Sequence, residues 1–132
     1  MPVLSELSTP DPLKEDFCGF GDHLICRRAL WNGTMTPLPT LGGTNAMALD
    51  LNNRGQIIGV AEKPTHDASC PSPHVLDFEA VEWGPNHREA KALAPLPGDT
   101  VGFALGINDL GQLVGSSGTC ANTLVTPLKA GR

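Results

Sequence analysis

The side chains able to do chemistry are few and scattered. Four histidines stand at His23, His66, His74 and His87, and four cysteines at Cys18, Cys26, Cys70 and Cys120. His66 and His74 flank Cys70 as His-x3-Cys-x3-His, which are zinc-compatible ligand types. Pro71-Ser72-Pro73 interrupts that stretch, so a loop cysteine is the better reading. Asp50-Leu51-Asn52-Asn53-Arg54-Gly55 places oxygen ligands at alternate positions before a glycine, as a calcium loop does. No bidentate Glu follows at the twelfth loop position, which favours a plain turn. Gly42-Gly43 has no Lys-Ser/Thr after it, so it is no phosphate loop. No Ser-His-Asp or Cys-His set stands out. The expectation is a chain with no catalytic, cofactor-binding or metal residue, more a binding protein than an enzyme.

None of the cysteines forms a Cys-x-x-Cys pair. Their even number permits two disulfides in an oxidising compartment, or four buried thiols in a reducing one. The spacing leaves both open.

Composition narrows the scaffold that must carry these residues. Of 132 residues, 15 are Gly and 12 Pro, which leaves little room for long helices and favours short strands between turns. The net charge is −5, without a basic stripe, so nucleic acid is a poor partner. No apolar run approaches the roughly 20 residues that span a bilayer. The N-terminus lacks the charged and apolar regions of a signal peptide.

The organising feature is an internal repeat. Ala48-Leu-Asp-Leu-Asn52-Asn-Arg-Gly55-Gln56-Ile-Ile-Gly59 returns as Ala104-Leu-Gly-Ile-Asn108-Asp-Leu-Gly111-Gln112-Leu-Val-Gly115, offset by 56 throughout. Upstream, Leu38-Pro39-Thr40-Leu41-Gly42-Gly43 matches Leu93 to Gly98, and Ala29-Leu30-Trp31 matches Ala80-Val81-Glu82-Trp83. His23 pairs with His74, and Cys18 with Cys70, which points to structural roles. Each copy reads as four strands: 24–31, 34–38, 46–51 and 56–61, then 75–83, 90–93, 103–107 and 112–116. Asn32-Gly33 suits a two-residue hairpin. Asn52 to Gly55 and Asn108 to Gly111 carry type I turn chemistry, Asn first and Gly last. Trp31 and Trp83 are expected in the core.

Four antiparallel strands every fifty-odd residues is the arithmetic of a β-propeller blade, with a β-solenoid or plain sandwich as the alternatives. The expected architecture is all-β: a partial leading repeat or linker over 1–17, units over 18–66 and 67–119, and a truncated third unit or tail over 120–132. Residues 5–16 resemble the linker after a fourth strand, without that strand. Two units close no ring, so the chain is expected to be a segment of a longer propeller, or to associate through its uncovered apolar faces.

These residues resemble the HAF family of bacterial extracellular repeat proteins, over about Cys18 to Cys120. The likeness rests on the Trp, the Asn-Gly turn, Leu-x-x-Leu-Gly-Gly and the Asn-x-x-Gly-Gln-x-x-Gly ending. Arg28-Ala29-Leu30 and Glu79-Ala80-Val81 stand where the family has His-Ala-Phe, keeping only the Ala. The resemblance implies a secreted or surface protein with propeller-like units and no established activity. It also implies oxidised cysteines, expected as Cys18–Cys26 and Cys70–Cys120. Function is then expected to be binding or scaffolding of neighbouring units, carbohydrate or protein. The alternative is a fragment of a propeller lyase or hydrolase with its site in the central channel.

Overall fold

A computed structural model of the chain describes residues 3–31, 34–84 and 89–121. The turns at 32–33 and 85–88, the tail 122–132, and the side chains of Trp31 and His87 lie outside the described residues. The strands are β1 (Val3–Pro10), β2 (Leu24–Trp31), β3 (Thr34–Pro37), β4 (Ala46–Leu51), β5 (Ile57–His66), β6 (Leu76–Trp83), β7 (Ala90–Leu93), β8 (Val101–Ile107) and β9 (Leu113–Gly118). They form three antiparallel sheets, ordered β1-β2-β3, β4-β5-β6-β7 and β8-β9. Among the described residues no helix is long and apolar enough to cross a membrane.

The eight strands read from the two copies are all present, as β2 to β9. Their grouping differs from the copies. The four-stranded sheet takes its first half from one copy and its second half from the next, because β5 pairs with β6 across the boundary at 66/67. A sequence repeat has no inherent starting point, and long-range pairing chooses one. The chain changes sheet instead at 38–45 and 94–100, where Pro39, Gly42, Gly43, Pro95, Pro97 and Gly98 interrupt strand pairing. The Leu-x-x-Leu-Gly-Gly motif is thus the crossing between sheets.

Within the leading segment, Val3–Pro10 forms a strand, β1. β1 pairs with β2 as β5 pairs with β6, down to the same break in register: after Glu6 in one and after Glu62 in the other. Asp11 and Asp67 follow with matching turns, their Oδ1 atoms accepting from the Leu13 and Ser69 amides at 2.8 and 2.9 Å. The fourth strand of the first copy, β5, therefore runs further than hydrophobicity suggested, through polar residues to His66.

Both hairpins carry one extra residue in the same place. The β4–β5 register breaks between Ala48 and Asp50, and β8–β9 between Ala104 and Gly106, so Leu49 and Leu105 are bulged. Opposite each bulge stands a glycine. A Cβ on Gly59 would overlap the Met47 carbonyl, and one on Gly115 the Phe103 carbonyl.

The middle strands of the central sheet, β5 over 57–62 and β6, are largely buried on both faces. Ile57, Ala61, Val81 and Trp83 pack with Leu38 from the first sheet's side. Ile58 and Ala80 pack against Ala104 of the last hairpin, and Val60 and Phe78 against Val101 and Cys120. The run Ile57 to Val60 is accordingly apolar at successive positions. Trp83 is fully buried, and its indole N–H donates to the Pro39 carbonyl at 3.0 Å.

Candidate functional site

Two constructions concentrate the polar chemistry: a stack of turns and an acid-rich junction. The turns come from the repeat. Asn52 Oδ1 accepts the amides of Arg54 and Gln56 at 3.0 and 3.1 Å, and its Nδ2 donates to Gln56 Oε1 at 2.7 Å. Asn108 makes the same three bonds to Leu110 and Gln112, at 3.0, 3.0 and 2.9 Å. Gly55 and Gly111 close the turns at φ of 80° and 82°, where a side chain would strain the backbone. One turn then seats on the other. Asn52 Nδ2 donates to the Asn108 carbonyl, and the Asn53 amide and Nδ2 donate to the two Asp109 carboxylate oxygens, each at 2.9 Å. Asp50 Oδ2 accepts the Ile107 amide in return at 3.0 Å. Asp50, read from sequence as a possible cation ligand, is an inter-hairpin hydrogen-bond acceptor.

The acid-rich junction lies where the segment between β1 and β2 meets the central sheet. Glu15, Asn45 and Glu62 are fully buried there, with Asp11 nearly so. Asn45 Nδ2 donates to Asp11 and to Glu62 at 2.8 Å each, while its Oδ1 accepts the Cys26 amide at 2.7 Å. Burial raises Glu62 to about 9, helped by the charge of Glu15 and a hydrogen bond with it. A second carboxyl pair stands close by. Burial and a hydrogen bond to Asp67 push Asp77 up to about 7, while that bond and Ser69 hold Asp67 low. A third joins Glu6 to Asp22; burial first, then Asp22, raises Glu6 to about 7.

Beside these pairs runs an open cleft of about 440 Å³, lined by Lys14, His66, Asp67, Cys70, Pro73 and His74 among others. Burial lowers the His74 pKa, disfavouring its charged form, and the ring lies edge-on to Phe17 with ring centroids 6.2 Å apart. Its repeat partner His23 is exposed and bonds the Lys14 carbonyl through Nδ1 at 2.7 Å. The disulfides Cys18–Cys26 and Cys70–Cys120 consume all four thiols, which removes Cys70 from any zinc set with His66 and His74. Asp67 and Asp77 lie near Cys70 and Cys120, whose sulfurs are likewise spent. Asp67 spends Oδ1 on the Ser69 amide and hydroxyl, so the pair serves the loop's shape first. Ser72, His66, Asp67 and His74 give the cleft a polar lining suited to a small polar ligand.

Sequence reasoning missed all three carboxyl pairs. A signal existed for one strand: Glu-x-x-Thr-x-Asp occurs at Glu6-Thr9-Asp11 and again at Glu62-Thr65-Asp67. Nothing in the sequence joins Glu15 to Glu62.

The fold and these sites define an all-β antiparallel repeat protein stapled by two disulfides. No family model, curated protein or solved structure matches the chain.

Proposed function

We propose that the chain is a non-catalytic repeat segment of the HAF kind, its sheets arranged as propeller-like blades, acting outside the cell as a binding or scaffolding module. The stacked Asn52 and Asn108 turns carry this reading, because they join equivalent atoms of successive copies. Two disulfides are consistent with an extracellular location. Where adjacent sheets meet, β4 and β8 offer Ala, Met, Leu, Val, Gly and Phe, and the acid there, Asp50, is committed to Ile107. A channel enzyme needs convergent charged groups at such strands. The cleft at Lys14, His66 and His74 is the surface offered to a carbohydrate or a protein loop.

The Asp67–Asp77 pair favours the second reading, a lyase or hydrolase, since it splits two carboxyls into a proton donor and an ionised partner. One assay separates the two. The purified chain is passed over immobilised polysaccharides and cell-surface proteins, and the eluate is tested for new reducing ends and unsaturated sugars. Retention without product, abolished by Ser72→Trp in the cleft, is the expected result. Product release that disappears in Asp77→Asn overturns it in favour of the enzyme.

A further inference from the structure

We propose that the Glu15–Glu62 contact is a proton-operated latch, holding the segment 11–26 against the central sheet while it keeps its proton and releasing that segment as the proton is lost. Each carboxyl spends one oxygen on fixed donors. Glu15 Oε2 accepts the Val75 and Leu76 amides at 2.7 and 3.0 Å. Glu62 Oε1 accepts the Thr44 amide at 3.3 Å, and the Asn45 amide and Nδ2 at 2.8 Å each. The other two oxygens, Glu15 Oε1 and Glu62 Oε2, are buried without any donor from the surroundings. A carboxyl–carboxyl hydrogen bond between Glu15 and Glu62, the contact that also helps raise Glu62, would satisfy both orphaned oxygens at once. Such a bond needs one proton, since two carboxylates have no hydrogen to share.

That proton joins three pieces of chain. Glu15 rides on the segment between β1 and β2 and caps the start of β6. Glu62 sits on β5 and ties down the crossing into β4, where the Leu41 and Gly43 amides also donate to its carbonyl, at 3.1 and 3.0 Å. Asn45 extends the network to Asp11 and to the Cys26 amide.

The charges around the pair do not help it ionise twice. Asp11 and Asp16 approach from Glu15's own segment, and Lys14 there is exposed. From the stretch leading into β6 comes His74, whose charged form burial disfavours. Asn45, from the crossing, is uncharged. On β5, Lys63 is engaged with Glu79 at 3.2 Å. A second negative charge therefore meets more acid and little countercharge.

The sign follows from the raised Glu62. Its ordinary value is 4.5 and the closed junction lifts it to about 9. The closed form carries a proton that the open form has released at any pH above 4.5. The latch is at full strength below that pH. Opening gains about tenfold per pH unit from there to about 9, and levels off beyond, where the stabilisation is gone.

The test is amide hydrogen exchange of the full chain with disulfides intact, corrected for the intrinsic pH dependence of exchange. The readout is the Val75 and Leu76 amides that Glu15 caps. Glu62→Gln supplies the shared hydrogen permanently and keeps the single negative charge. Protection in the wild type is expected to fall by up to about tenfold per pH unit relative to Glu62→Gln, between about pH 5 and about pH 9. Equal slopes in the two proteins overturn the latch. Should Glu62→Gln fail to fold, Glu15→Gln builds the same singly charged pair from the other side and is read the same way. Carboxyl carbon resonances of the wild type give a check that needs no variant. One glutamate still titrating near 9 supports the latch; no glutamate apart from Glu6 titrating above about 6 rejects it.

Discussion

The hairpins β4–β5 and β8–β9 have the same turn, the same bulge and the same glycine opposite it, yet they live in different surroundings. Ile58, in β5, is fully buried; Val114, its equivalent in β9, is 66% exposed. Asn52 is buried and Asn108 exposed. The local hydrogen bonds agree to within about 0.2 Å in the paired cases, so the turn does not depend on burial for its shape. Burial comes from what packs on the hairpin. β5 has β6 on its far edge and a sheet on each face, whereas among the described residues β9 pairs only with β8. Shape is encoded within the hairpin and stability is supplied between hairpins.

Perturbing the two environments separates these contributions. Trp83→Ala strikes the largest fully buried side chain among the described residues and is expected to cost about 3–5 kcal/mol by denaturant titration. An unchanged midpoint would show the indole to be dispensable. Next comes a matched pair, Ile58→Ala and Val114→Ala. The first should cost about 2–5 kcal/mol, the second no more than about 0.5. Similar losses at both sites would mean that β9 is covered in solution. Asn52→Ala removes its own turn bonds and the bond to the Asn108 carbonyl, and should cost about 1–3 kcal/mol. Asn108→Ala removes turn bonds in a solvated place and should cost about 0.5–1.5 kcal/mol. Calorimetry reads the difference, and the reverse order would contradict the stacking. A small effect is also expected from the coupling of Asn53 to Asp109, exposed on both sides. A double-mutant cycle should return less than about 1 kcal/mol, weakening with salt.

The strands of both copies were legible because turn chemistry is local: Asn52 and Gly55 specify their bend with atoms a few residues away. The bulge glycines were visible as repeated letters, though their reason, a carbonyl lying where a side chain would stand, needed the pairing of β4 with β5. Sheet grouping was illegible, because the β5–β6 pairing crosses from one copy to the next and similarity alone cannot say where a copy begins. β1 escaped notice because its tail is polar and reads as a loop. The carboxyl junction was illegible for a deeper reason. Glu15 and Glu62 look like ordinary surface acids, and only the packing of the 11–26 segment on the central sheet strips them of water.

The stacked turns give this surface a sense of direction. Three of the four bonds run from the Asn52 side to the Asn108 side, amide hydrogens meeting a carbonyl and a carboxylate. A twofold axis through such a face would set carboxylate against carboxylate, so isologous pairing is disfavoured. A further repeat stacked in the same way would follow head to tail, a heterologous order. Depending on the rotation at each step, such an order closes as a ring or continues as a filament.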